Sequence, residues 1–347
     1  MTAPTDLAVV VPKPDAEDRI AALESEGVYD DTRQVRERDA DHVELPVTER
    51  PTETAFDHTV EQADPELRSP DLDALLRERG WTDEEIARAP SSWAVIGTVV
   101  LASFGDCPRP EEVGEALLEL HGEADTVLDR RGVSGEHREP DVAFVAGAGD
   151  TETIHTEDGT RYAMDLARVM FAPGNEAERV RMGGVVEADE RVLDMFAGIG
   201  YFALPMARAG ADVTAVEANP EAFRFLAENA QLNDVADRLS CVLGDCRDVE
   251  TTADRVVMGY YDALGGGPVH GEGDDPRYLA AALDNLVPGG TLHVHAVAPE
   301  AELPDRPEAA LREGCERAGR DVDIEAVRRV KSHSEGVYHV VLDARVD

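Results

Sequence analysis

From residue 190 onward the sequence alternates between short, almost wholly apolar runs and longer amphipathic ones. No other feature constrains the fold as much. Strands are expected at 191–197, 212–218, 239–243, 255–260 and 291–298, with helices at 201–209, 220–232 and 276–286. Strands that are apolar on both faces must be covered on both faces, which a parallel sheet with right-handed helical crossovers achieves. Two further runs, 324–331 and 338–346, read as a hairpin closing the sheet edge antiparallel. The expected fold class is α/β, a Rossmann-like, mostly parallel sheet of seven strands preceded by small α/β or β-rich domains.

The preceding residues divide by composition. A β-branched run at 8–11, a helix at 15–26 ending on Gly27 and an alternating strand at 42–47 make a small α/β unit over 1–47. Residues 48–92 are acidic and Pro-rich, and read as a linker or insertion with short helices at 72–79 and 83–89. A third unit, 93–160, is expected to hold a strand at 94–102, a helix at 110–121 and short strands up to 162, leaving 161–347 for the large sheet. The apolar patch at 7–11 is too short for a signal or a membrane span, so a soluble cytoplasmic protein is expected. Cys107, Cys241, Cys246 and Cys315 show no paired or metal-ligand spacing, and no metal is expected.

Charge decides one further point. Asp and Glu number 73 against 33 Lys and Arg, a net −40, and the only lysines are Lys13 and Lys331. Such a surface suits a halophile's cytoplasm, where the Debye length falls to about 3 Å at 1 M salt. Net charge bears on solubility and association rather than on fold, so this acidity does not exclude an RNA partner.

The chemistry concentrates at the C-terminal ends of the expected strands, where open α/β sheets bind ligands. The first ends in Asp194-Met195-Phe196-Ala197-Gly198-Ile199-Gly200-Tyr201-Phe202. Gly198 and Gly200 allow close backbone approach, and the next helix offers free N–H groups. Glu217 ends the second strand, 19 residues past Gly198, placed to accept both hydroxyls of a ribose. The third ends in Gly244-Asp245-Cys246. Gly198 to Ala203 also satisfies a dinucleotide fingerprint, which is a weak signal alone. Asp194 before the loop, Asn219-Pro220 after the ribose carboxylate and Asp245 at the adenine position favour S-adenosylmethionine.

Two segments make the chain recognisable: Val169-Met170-Phe171-Ala172-Pro173-Gly174-Asn175-Glu176-Ala177-Glu178-Arg179-Val180-Arg181-Met182, and the Asp194 to Phe202 loop. Together they resemble the archaeal and eukaryotic family that modifies the purine 3′ of the tRNA anticodon. One branch methylates N1 of guanosine-37. The other, in the wybutosine pathway, moves the 3-amino-3-carboxypropyl group of S-adenosylmethionine to a tricyclic, 4-demethylwyosine-type guanosine of phenylalanine tRNA. Methyltransferases of the family carry Asn-Leu-Pro after the fourth strand; this chain has Gly259-Tyr260, similar to the aminocarboxypropyl branch, as are His293-Val294-His295 and residues 336–344. The Gly-rich acidic stretch 261–275 departs from the short basic segment usual there.

The resemblance implies a class I methyltransferase fold and a catalytic set of Arg138, Glu178 and Tyr260. Glu178 matches the proton acceptor of the methyltransferase branch, and Arg138 an arginine that offsets charge on the base. The cofactor set is Ala172, Arg179, Asp194, Phe196, Gly198, Gly200, Glu217, Asn219, Asp245, Cys246 and Gly259. Ala172 replaces a serine common in the family. Two stretches, 161–184 and 324–345, escape the prevailing acidity, which makes Arg161, Arg181, Arg328 and Arg329 candidate phosphate contacts. The expected partner is the tRNA anticodon stem-loop, bound by a monomer. N1-methylation of guanosine and non-catalytic tRNA binding are the rival functions.

Overall fold

The apolar run near the N-terminus forms strand β1 (Leu7–Pro12), and helix α1 (Ala16–Glu26) packs Leu23 against it. α1 stops at Gly27, whose φ of +75° lets its N–H reach back to the Glu24 carbonyl. In the computed structural model, which describes residues 6–66, 71–135, 138–264 and 277–347, the chain forms two compact units, Met1–Ala87 and Arg88–Asp347.

The first unit is built on an antiparallel sheet ordered β2-β3-β1-β4, with β2 at Arg36–Glu37, β3 at His42–Pro46 and β4 at His58–Glu61. Val9, Val11, Leu45 and Val47 form its core with Leu23. β4 falls in the segment read as a linker: its four residues lack a clear period, and pairing with β1 makes them a strand. Helices α2 (Leu72–Glu78), capped by Asp71, and α3 (Asp83–Ile86), with a Thr82/Glu85 capping box, follow.

The second unit opens with a correction. The single strand expected at 94–102 is a hairpin, β5 (Trp93–Ile96) and β6 (Val99–Ala102), folded back at Gly97, where φ is +57°. Helix α4 (Pro110–Leu120) carries β6 over to its parallel neighbour β7 (Thr126–Ser134), which pairs with β8 (Glu139–Gly147). A second hairpin, β9 (Glu152–Glu157) and β10 (Thr160–Asp165), runs across residue 160, and α5 (Glu176–Val185) follows.

The large sheet has seven strands. They are β11 (Arg191–Asp194), β12 (Asp212–Glu217), β13 (Leu239–Leu243), β14 (Ala253–Met258), β15 (Leu286–Pro299), β16 (Val322–Ser334) and β17 (Val337–Val346). Their order is β13-β12-β11-β14-β15-β17-β16, with β17 antiparallel to both neighbours and the first five parallel. The expected edge hairpin is present. Helices α6 (Ala203–Arg208) and α7 (Pro220–Leu232) contribute Leu204, Phe225 and Leu226 to one core, and α8 (Arg277–Asn285) and α9 (Asp305–Arg317) contribute Leu279, Leu283 and Leu311 to another. Strand order reverses between β11 and β14, which opens a crevice beyond their C-terminal ends. Among the described residues no helix is long and apolar enough to cross a membrane.

Candidate active site

β11 ends in Asp194, which lies buried beneath the crevice and does not itself line the cavity, and the chain then turns sharply through the two glycines. Gly198 and Gly200 have φ of +56° and +102°, and a Cβ would lie 2.4 Å from the Tyr201 ring at the first and 2.7 Å from Leu204 at the second. Only glycine fits such positions. The Gly198 N–H donates to Glu217 Oε2 at 2.8 Å, and the Asn219 N–H donates to Oε1 at 2.7 Å, so the loop after β11 and the end of β12 share one carboxylate. Asn219 also caps α7 by accepting the Glu221 N–H.

Asp194 is fully buried beneath this loop. Its Oδ1 accepts the Phe196 N–H, and its Oδ2 has no partner among the described residues. Burial pushes the carboxyl up to about 7, with a smaller contribution from the Glu217 charge. A cation brought beside Oδ2 would return it to the ionised form.

The crevice opens into a cavity of about 730 Å³, within the range of small-molecule sites. Of the expected residues, Arg138, Ala172, Arg179, Phe196, Gly198, Glu217, Asn219, Asp245, Cys246, Gly259 and Tyr260 line it. Asp245 accepts hydrogen bonds from Arg247, which holds its carboxyl below the usual range, and the Arg247 guanidinium lies 4.7 Å over the Tyr278 ring. Burial pushes the Cys246 thiol up to about 12, making it a neutral wall rather than a nucleophile. Phe196, Tyr260 and Tyr278 gather with ring centroids 5.2–6.1 Å apart. At Gly259 a Cβ would stand 3.3 Å from the Phe202 ring, so the end of β14 lies close against that side chain.

Several expected residues lie elsewhere. Glu178 does not line the cavity; it is buried against Arg181 and Arg328, which also bind Asp343. Two arginines, shared with Asp343, thus satisfy it in place, away from the cavity. Arg179 reaches the cavity wall, but its guanidinium binds both oxygens of Glu157 and donates to the Ala172 and Pro173 carbonyls. It pins the turn at 172–175 rather than offering free donors. Gly200 packs against α6. Of the proposed phosphate contacts, Arg181 and Arg328 belong to the buried cluster, Arg329 pairs with Glu300 and stacks on Tyr338, and Arg161 donates to the Leu232 carbonyl. None of the four lines the cavity.

Other residues take those places. Arg130, Tyr261, Tyr278 and Lys331 line the cavity outside the expected site set, as does His295 of the His293-Val294-His295 segment; of the first four only Lys331, one of two lysines in an acidic chain, stands out in the sequence. The glycine stretch at 265–267 and residues 136–137 lie outside the described residues.

Residues 153–325 match the TRM5/TYW2 methyltransferase domain, and residues 65–151 the TYW2 N-terminal domain. A tRNA(Phe) (4-demethylwyosine(37)-C(7)) aminocarboxypropyltransferase of Pyrococcus horikoshii is 38% identical over 270 residues, 76% of this chain and 92% of the relative. The chain belongs to the TRM5/TYW2 family. Among solved members, P. horikoshii TYW2 in complex with MeSAdo superposes with a TM-score of 0.67 at 35% identity, over 78% of this chain and 96% of that one. Pyrococcus abyssi Trm5b superposes with a TM-score of 0.72 at 29% identity, over 98% and 99%. Family members thus come from both activities, and the fold is common to them.

Proposed function

We propose that this chain transfers the 3-amino-3-carboxypropyl group from S-adenosylmethionine to the tricyclic guanosine-37 of phenylalanine tRNA. The reading is supported by the kinship with the P. horikoshii aminocarboxypropyltransferase over nearly that protein's whole length. The observation that carries it is the end of β14. Gly259 lies against Phe202 and is followed by the aromatic group around Tyr260, with no side-chain amide where the methyltransferase branch has Asn-Leu-Pro.

The residues present suit this donor. We assign Glu217 to the ribose hydroxyls and Asp245 to the adenine amine, and Asp194, whose Oδ2 lacks a partner among the described residues, to the methionine ammonium. S-adenosylmethionine supplies a sulfonium whose attached carbons are all electrophilic. Selection among them is a matter of orientation. Without an amide to fasten the methionine chain, Gly259 and Tyr260 leave it free to turn its γ-carbon toward the acceptor. Tyr260, Phe196 and Tyr278 offer an apolar wall that excludes water from the transfer. The two four-stranded sheets and the helices beside them are proposed to dock the anticodon stem-loop of tRNA to a monomeric enzyme, in the cytoplasm of a halophile.

Labelled donor separates the readings. Carbon-14 in the methionine carboxylate should enter tRNA that carries the tricyclic base, methylthioadenosine should accumulate in step, and unmodified tRNA should be inert. Methyl label entering unmodified tRNA, with S-adenosylhomocysteine released, would favour guanosine N1-methylation and overturn the proposal. tRNA binding with no donor-dependent product would leave only a binding protein.

A further inference from the structure

In a chain of net charge −40, most arginines at the surface stand beside a carboxylate or donate to a backbone carbonyl. Three cations at the cavity do neither. Arg130, on the exposed half of β7, has Ser103 Oγ at 3.4 Å as its side-chain partner. Arg138 rests its guanidinium on Met170 Sδ and 5.9 Å over the Tyr261 ring. Lys331, on β16, lies across the turn at 172–175, with its Nζ 3.8 Å from where a Cβ of Gly174 would be. Among the described residues none of the three forms an ion pair, and all three line the cavity.

The three charges also repel one another. Burial lowers the proton affinity of Lys331, and Arg179, Arg130 and Arg138 lower it further, with no carboxylate among the opposing influences. Arg179 is neutralised by Glu157, so among the described residues the other three form a positive site with no ion-pair partner. Arg138 holds a φ of +52°, a backbone conformation costly for a residue with a side chain, and its N–H donates to the Gly135 carbonyl.

We infer that Arg130, Arg138 and Lys331 form an anion site for the backbone phosphates that flank the target nucleotide of tRNA. The inference rests on the transfer reading above only for the identity of the base that enters. The donor is a poor candidate occupant. Its single carboxylate is accompanied by an ammonium and a sulfonium, so it brings a net positive charge to three cations. A nucleotide within RNA brings a phosphate on each side, and phosphate contacts set register without reading sequence. In molar salt, where long-range attraction is screened, three cations converging on one cavity mouth still act at contact range.

The test uses the full chain and measures binding, so it requires no turnover. In the Arg130→Gln/Lys331→Gln double variant, affinity should fall alike for unmodified and tricyclic-base tRNA. The slope of log Kd against log [KCl] should flatten by about 0.7 for each single-strand phosphate contact removed. Donor affinity by calorimetry should not change. Lys331→Arg, which keeps the charge, should keep the slope, and a slope lost equally there would mean that packing rather than charge was disturbed, overturning the inference. So would weakened donor binding with intact tRNA binding, which would assign the cations to the methionine carboxylate, or no change in either affinity. The mass added to the nucleoside by wild type is read separately. A methyl product together with a flattened slope in the variant would sink the transfer reading and uphold the phosphate site.

Discussion

Replacing Glu157 by Gln tests whether the cavity rests on one buried ion pair. Arg179 is 2% exposed and Glu157 5%, and the arginine donates to both carboxylate oxygens while His155 stands 3.4 Å from Oε1. Removing one partner of such a pair leaves the other charged in a poor solvent and typically costs about 3–5 kcal/mol. Here Arg179 retains its bonds to the Ala172 and Pro173 carbonyls, at 3.0 and 3.3 Å, which favours the lower end, about 3 kcal/mol. Urea unfolding in constant molar KCl should show a lower midpoint at unchanged slope. Acidification adds a second signature. Burial alone would raise the Glu157 carboxyl, but hydrogen bonds from His155 and Arg179 hold it below the usual carboxylate range. Its contribution is therefore complete above the unfolded carboxylate value and is lost as pH falls through the lower folded one. Wild type should lose that increment on acidification and Glu157→Gln should not. A stability loss under about 1 kcal/mol, with the same acid dependence as wild type, would refute the reasoning, because a buried charge would then be tolerated unpaired.

Glu217→Ala and Asp245→Ala should each weaken S-adenosylmethionine binding by about 1.5–3 kcal/mol, the worth of a charge-assisted hydrogen bond; calorimetric affinities unchanged in both would move the donor out of this cavity. Asp194, raised to about 7 by burial, binds a proton in the folded state that the unfolded state has released. Donor-free wild type should therefore lose stability as pH rises from about 4 to 7 relative to Asp194→Asn, and parallel curves for the two would contradict the burial argument. Gly198→Ala should abolish donor binding, since its Cβ would strike the Tyr201 ring; retained affinity would show that the turn can relax.

The sheet was legible because its strands are apolar on both faces and its helices carry their own punctuation. α7 begins at Asn219-Pro220 and ends at Leu232, as a cap residue, a helix-compatible proline and an apolar stripe dictate. The glycine turn, Glu217 and Asp245 were legible for a related reason: each lies within a few residues of a strand end, so local order sets its place on the rim. β4 and the β5–β6 hairpin were less so, since pairing partners rather than period made those residues strands.

Charge was where the sequence by itself decided least. It determined that residues 324–345 are poor in acid, but a linear count gives no partner to any arginine. Arg328 lies 150 residues from Glu178, yet folding brings them within 2.7 Å, in a half-buried cluster with Asp343 and Arg181. The same folding leaves Arg130, Arg138 and Lys331 at the cavity with no ion-pair partner among the described residues. Composition and periodicity report what each segment is, and a chain of alternating strands and helices follows from them. Which cations remain available to an anion depends on distances of a few ångströms between segments far apart in sequence, because both ion pairing and desolvation act at that range.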